Sequence, residues 1–157
     1  MSAAADHGEY STDRGRPSDE ARRTPRDASR ILVVDDIADT RQALAIYFRY
    51  RGFTVETASD GLAAVEAAHR VHPDVIIMDV TMPGLDGLSA TREIKHDPHT
   101  ADIPVVILTA YPIRAIKGGA LETGARFVMK PCTPQELERH VCSLLETRRS
   151  DDAPDDR

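Results

Sequence analysis

A doubly wound α/β fold on one five-stranded parallel sheet is what this chain predicts, and three observations carry the expectation. Short apolar runs alternate with longer stretches of helical pattern, which argues for repeated βα units. Five such runs are present, enough for a single sheet. Two of them end in acids: Ile31-Leu32-Val33-Val34 leads into Asp35-Asp36, and Val75-Ile76-Ile77-Met78 leads into Asp79. Neighbouring parallel strands would bring those three carboxylates to one crevice at their carboxyl ends.

The elements follow in order. Residues 1–29 are polar, rich in Arg, Asp, Ser and Pro, and read as a flexible tail ahead of a domain spanning 30–148. Strands are expected at Ile31 to Val34, Thr54 to Ala58, Asp74 to Met78, Ile103 to Leu108 and Arg126 to Met129. Helices are expected at Ile37 to Tyr50, Gly61 to Val71, Gly87 to Lys95, Ile113 to Glu122 and Pro134 to Arg148. The first helix aligns Ile37, Arg41, Leu44 and Phe48 at helical spacing, with its apolar members toward the sheet, and Gly52 stops it. Gly118-Gly119 falls inside the fourth helix, where two glycines cost about 1 kcal/mol each relative to alanine, so that helix should be short, frayed or mobile. Thr133, Pro134 and Glu136 announce the last helix as a capping box, with Leu137, Val141 and Leu145 as its buried face. Residues 149–157 read as a short acidic tail.

Composition narrows the function classes. The 157 residues are 41% hydrophobic, enough for one domain of about 120 residues but not for two. The formal charge of -6 and the lack of a basic stripe disfavour direct nucleic-acid binding. No signal peptide and no apolar span of about 18 residues is present, which disfavours secretion and membrane insertion. Cys132 and Cys142 follow no pairing or metal-ligand pattern, which suits a reducing cytoplasm.

The expected strand ends deliver Asp35, Asp36, Asp79, Thr109 and Lys130 to one rim, a set suited to handling a phosphoryl group. Carboxylates crowded together need a cation or protonation to relieve their repulsion. A hard divalent ion held by such oxygens can also touch phosphate oxygens. A lysine ammonium can neutralise a further oxygen, and a threonine hydroxyl can donate to another. If phosphate is covalently accepted, Asp79 is the best nucleophile, because it stands alone on the central strand and leaves Asp35 and Asp36 to organise the cation.

Leu32-Val33-Val34-Asp35-Asp36, Ile76-Ile77-Met78-Asp79, Met82-Pro83-Gly84-Leu85-Asp86-Gly87, Leu108-Thr109-Ala110 and Lys130-Pro131 follow one another in an order and spacing that are specific together. Over roughly Arg30 to Thr147 the sequence resembles the receiver domain of bacterial two-component response regulators. The resemblance implies a flavodoxin-like (βα)5 fold with strand order 2-1-3-4-5. By position it implies Asp79 as phosphoacceptor, Asp36 as direct magnesium ligand, and Asp35 acting partly through water on the metal. The Thr81 backbone carbonyl would complete the ligands of a Mg2+ ion for which Mn2+ can substitute, with Asp79 also in the metal set. Thr109 and Lys130 would bind phosphoryl oxygens, Phe127 would be the switch aromatic, and Lys130-Pro131 a cis peptide.

A phosphoryl group on Asp79 adds charge and acceptor oxygens toward which Thr109 can move, opening space for Phe127 while the glycine-containing helix shifts. Thr81 and Tyr111 would border the path of the hydrolytic water and tune the lifetime of the phosphorylated state. Implied partners are a sensor histidine kinase or a histidine phosphotransfer protein, and a downstream protein target, with a phosphorylation-dependent dimer among the available forms. Self-catalysed phosphotransfer and autodephosphorylation are expected rather than conventional turnover. The chain would be a stand-alone regulator or the receiver part of a longer one.

Blander explanations exist for each residue alone. Asp35-Asp36 could cap a helix, Phe127 could be core, Lys130 a solvated charge and Cys132 a plain thiol. His69, His72, His96, His99 and His140 are scattered and suggest no zinc set. A phosphorylation-independent docking module, an aspartyl phosphatase and a flavodoxin are the competing classes. The second would turn over external phosphoesters and the third would purify with FMN.

Overall fold

The computed structural model describes residues 29–112, 114, 116 and 121–152. Five parallel strands, β1 (Arg30–Val34), β2 (Thr54–Ala58), β3 (Val75–Asp79), β4 (Val105–Thr109) and β5 (Arg126–Met129), form one sheet in the order β2-β1-β3-β4-β5. Helices α1 (Ala38–Tyr50), α2 (Gly61–Val71), α3 (Gly87–His96) and α4 (Pro134–Asp151) complete the described architecture, with a 3-10 turn at Leu121–Thr123.

Side chains alternate across a strand, so each apolar run supplies both faces of the sheet. Ile31, Val33, Val75, Ile77, Val106 and Leu108 pack with Ala45 and Phe48 of α1 and with Leu137, Val141 and Leu145 of α4. Their neighbours Leu32, Val34, Ile76, Met78, Val105 and Ile107 pack on the other face with the α2 alanines Ala64, Ala67 and Ala68 and with Ala90 and Ile94 of α3. Two hydrophobic layers therefore clamp the sheet, which explains the lack of polar alternation in its central strands.

The strand order reverses at β1. The chain leaves β1 for β2 on one side, then returns past β1 to β3 on the other, opening a crevice between the carboxyl ends of β1 and β3. Val34 pairs with Met78, so the acids that follow them leave the sheet side by side.

Several expected boundaries move for identifiable reasons. Ile37 is the N-cap of α1 rather than part of its buried stripe and is 57% exposed, while Arg41 turns back to a backbone oxygen. β3 begins after Asp74, whose carboxylate accepts from the Arg30 N–H, and includes Asp79, which pairs with Leu108. β4 starts after Pro104, whose ring nitrogen cannot donate to the ladder. Gly52 ends α1 with φ +100°, and Phe53 N–H reaches back to the Phe48 carbonyl at 3.1 Å. The capping box of α4 forms in both directions, and α4 continues three residues beyond Arg148. Of the fourth expected helix, the described end is the 3-10 turn; Gly118-Gly119 and the segments 1–28 and 153–157 lie outside the described residues.

Candidate phosphoryl and cation site

Asp35 follows β1, and its N–H donates to the Ala58 carbonyl of β2 at 3.2 Å. The Asp35 carboxylate accepts from the Ile37 N–H at 2.9 Å, and the Asp35 carbonyl accepts from Arg41 Nη1 at 2.8 Å. Asp36 is exposed, whereas Asp35 and Asp79 are buried. One oxygen from each of the three carboxylates lies within 4.8 Å of the other two, the one such group of potential ligands among the described residues.

Lys130 follows β5 and donates from Nζ to Asp79 Oδ1 at 2.5 Å, while the Lys130–Pro131 peptide is cis. One ammonium faces three carboxyl groups, leaving an excess of negative charge in a partly dry crevice. Such a set of hard oxygen donors fits a small divalent cation such as magnesium or manganese.

The electrostatics agree with that fit. Burial pushes the Asp35 carboxyl above the usual carboxylate value, and the charges of Asp79 and Asp36 add to the effect. The Ile37 N–H and the Lys130 charge pull it back. With the folded-state value raised, the native protein holds this proton more tightly than the unfolded chain. Stability is therefore lost as pH rises from the ordinary carboxylate range through the raised value. We expect Asp35→Asn to unfold at a higher temperature than wild type near neutral pH in chelator, with the two converging in acid. Melting curves across pH check this, and parallel curves would refute it.

Thr109 ends β4 one residue beyond the partner of Asp79 and is buried. Its hydroxyl is engaged: Oγ1 accepts from the Tyr111 N–H at 2.9 Å and donates to the Tyr111 carbonyl at 3.2 Å. Tyr111 itself is 58% exposed, and Thr81 is exposed in the loop after Asp79. Phe127 is half-buried, pairs with Ile107 across β4 and β5, and packs against the α2–α3 layer. Thus the rim brings together Asp35, Asp36, Asp79, Thr109 and Lys130, while Phe127 stands apart in the apolar layer.

Cys132, beside this rim, has its thiol pushed up by burial and then by the Glu136 charge, against the pull of Lys130, as suits an unreactive thiol. Two contributors escaped the sequence reading. Spacing alone places Arg41 on a stripe with Ile37, Leu44 and Phe48, although a basic residue one turn after an acidic pair is a signal for a back-reaching contact. Gly87 enters the sequence pattern only as the last residue of the motif at 82–87 and the first of a helix, which Asp86 caps through Ser89 N–H at 2.8 Å. Its greater role is steric, since a Cβ there would lie 1.9 Å from the Asp79 carbonyl oxygen.

A family model described as response regulator receiver domain matches residues 31–142. Response regulator PleD of Caulobacter vibrioides is 42% identical over 118 residues, covering 74% of this chain and 26% of PleD. DNA-binding response regulator MtrA of Mycobacterium tuberculosis is 37% identical over 126 residues, covering 80% of this chain and 53% of MtrA. The chain thus spans between about a quarter and about half of the curated relatives it matches. Among solved structures, the receiver domain of sensor histidine kinase PA1611 from Pseudomonas aeruginosa, with magnesium coordinated in its active-site cleft, is 32% identical with a TM-score of 0.66. That match covers 76% of this chain and 98% of the neighbour.

Proposed function

Because the chain belongs to the response regulator receiver domain family, we propose that it is a phosphorylation-dependent signalling switch whose phosphoacceptor is Asp79. The observation that carries this reading is the convergence of Asp35, Asp36 and Asp79 with the Lys130 ammonium on Asp79. Asp35, Asp36 and Asp79, with the Thr81 backbone carbonyl, would hold a magnesium ion. When bound, it supplies positive charge that offsets the carboxylates and the phosphoryl oxygens.

In the forward step a carboxylate oxygen of Asp79 attacks the phosphorus of a phosphohistidine. An O–P bond forms as the P–N bond breaks, and the electron pair of that bond stays on the imidazole nitrogen. Lys130 releases its hold on Asp79 Oδ1 to meet a phosphoryl oxygen, and Thr109 exchanges its Tyr111 contacts for another. Later a water attacks phosphorus, a P–O bond to its oxygen forms as the P–O bond to Asp79 breaks, inorganic phosphate is released and the free carboxylate is restored.

The donor is a sensor histidine kinase or a histidine phosphotransfer protein. Its docking is supported by a mainly apolar groove of about 770 Å³ between α1 and α4, lined by Ala43, Leu44, Pro131, Pro134 and Leu137 together with Asp39, Thr40 and Lys130. Output runs through a downstream protein. Release of Thr109 from Tyr111 frees the end of β4, and Phe127 on the neighbouring strand responds. No helix among the described residues is long and apolar enough to cross a membrane, and a cytoplasmic setting is part of the proposal.

Incubation with acetyl phosphate, with and without magnesium, followed by intact mass tests the function. One hydroxylamine-labile phosphoryl adduct that requires the cation is expected; wild type that stays unmodified with both present would defeat the reading. Thr81→Asn and Tyr111→Ala are expected to change the decay time of that adduct, because both side chains border the route to phosphorus. Unchanged decay in both removes them from this role.

A further inference from the structure

α1 begins without the usual device. Its N-cap is Ile37, which has no side-chain acceptor for the free N–H groups of the first turn. The turn between β1 and α1 is instead held through Asp35. Its N–H is fixed to Ala58 of β2, its carboxylate takes the Ile37 N–H, and its carbonyl takes Arg41 Nη1. The Arg41 N–H also donates to the Ile37 carbonyl at 3.0 Å, so one residue grips the turn through both its backbone and its half-buried side chain.

The carbonyl that Arg41 holds belongs to the peptide joining Asp35 to Asp36. Fixing that peptide plane fixes the direction in which the chain presents Asp36, the exposed member of the acidic group. We infer that Arg41 is a positioning residue for the cation site: by holding the Asp35 carbonyl it keeps Asp35 and Asp36 presented together toward Asp79. This rests on the cation reading proposed above. Arg49, on the same helix, supplies an internal comparison. It makes the same kind of contact, Nη2 to the Val55 carbonyl at 3.0 Å, but to a residue near the amino end of β2, away from the acidic crevice.

The test is magnesium titration by calorimetry on the full chain for wild type, Arg41→Met, Arg41→Lys and Arg49→Met, with a melting curve for each in chelator. Arg41→Met is expected to bind magnesium about tenfold more weakly, the effect typical of losing a group that orients a metal ligand. Arg49→Met should bind like wild type even if its melting temperature falls as far. Removing a positive charge near a cation site would by itself tighten binding, so equal or tighter binding in Arg41→Met overturns the inference. Arg41→Lys keeps the charge but loses the planar fork, and several-fold weaker binding is expected. It decides the matter if Arg41→Met does not fold, and wild-type affinity in it also overturns the inference. Wild type that takes up no magnesium defeats the cation reading itself, a result distinct from equal binding in wild type and variant.

Discussion

Asp79→Asn is expected to yield a folded chain that takes up no phosphoryl group from acetyl phosphate under any cation concentration. The reason is chemical rather than steric. Asparagine keeps the shape of the side chain, but its amide has no anionic oxygen, and its nitrogen lone pair is delocalised into the carbonyl. No other described carboxylate is buried, paired with an ammonium and placed on the central strand. Asp35 is committed to the Ile37 N–H, and Asp36 is open to solvent. The companion variant Lys130→Met keeps the proposed nucleophile while removing the charge proposed to meet the phosphoryl oxygens. It should slow uptake by about 100-fold, as loss of one preorganised electrostatic partner does elsewhere. Intact mass over time reads both, with circular dichroism to confirm folding. An adduct of wild-type yield in Asp79→Asn would move the acceptor to another residue and dismantle the assignment.

Gly87→Ala is expected to destabilise the fold severely. The added Cβ would lie 1.9 Å from the Asp79 carbonyl oxygen, 2.8 Å from its carbon and 3.0 Å from Met78 Cγ. The oxygen cannot simply step aside, because Asp79 is paired with Leu108 of β4, while Gly87 N–H is itself bonded to the Val80 carbonyl at 3.0 Å. Relief must come from moving α3 or the end of β3, and the second displaces Asp79, the proposed acceptor. Overpacking of this kind costs about 3 kcal/mol or more, which lowers the melting temperature by roughly 10 °C in a domain of this size. Gly84→Ala is the control: nothing lies within 4 Å of its added Cβ, and only its φ of +77° opposes the change. That strain costs about 1–2 kcal/mol. A Gly87→Ala protein that melts with or above Gly84→Ala would show that α3 yields freely.

The placement of the candidate site was legible in the chain because it depends on which side chains stand at strand ends. A run such as Ile31 to Val34 declares a strand, and the acids that follow it must emerge at its carboxyl end whatever the neighbours do. The same logic found Asp79, Thr109 and Lys130, and the capping box at Thr133 and Glu136 was local enough to be read directly. What tertiary structure alone decided was which backbone atoms those side chains meet. Spacing aligns Arg41 with Ile37, Leu44 and Phe48 on one stripe, but the position of the Asp35 carbonyl makes it a hydrogen-bond donor to the turn. Pro104 and the pairing of Asp79 with Leu108 moved strand boundaries that hydrophobicity had set elsewhere. Gly87 stood in a specific motif, but its steric role was not legible there, since a missing side chain shows its purpose only when another backbone occupies the space. Local pattern determines what each residue offers; long-range packing determines which offer is taken, because hydrogen bonds and steric exclusion act between atoms that chain order does not bring together.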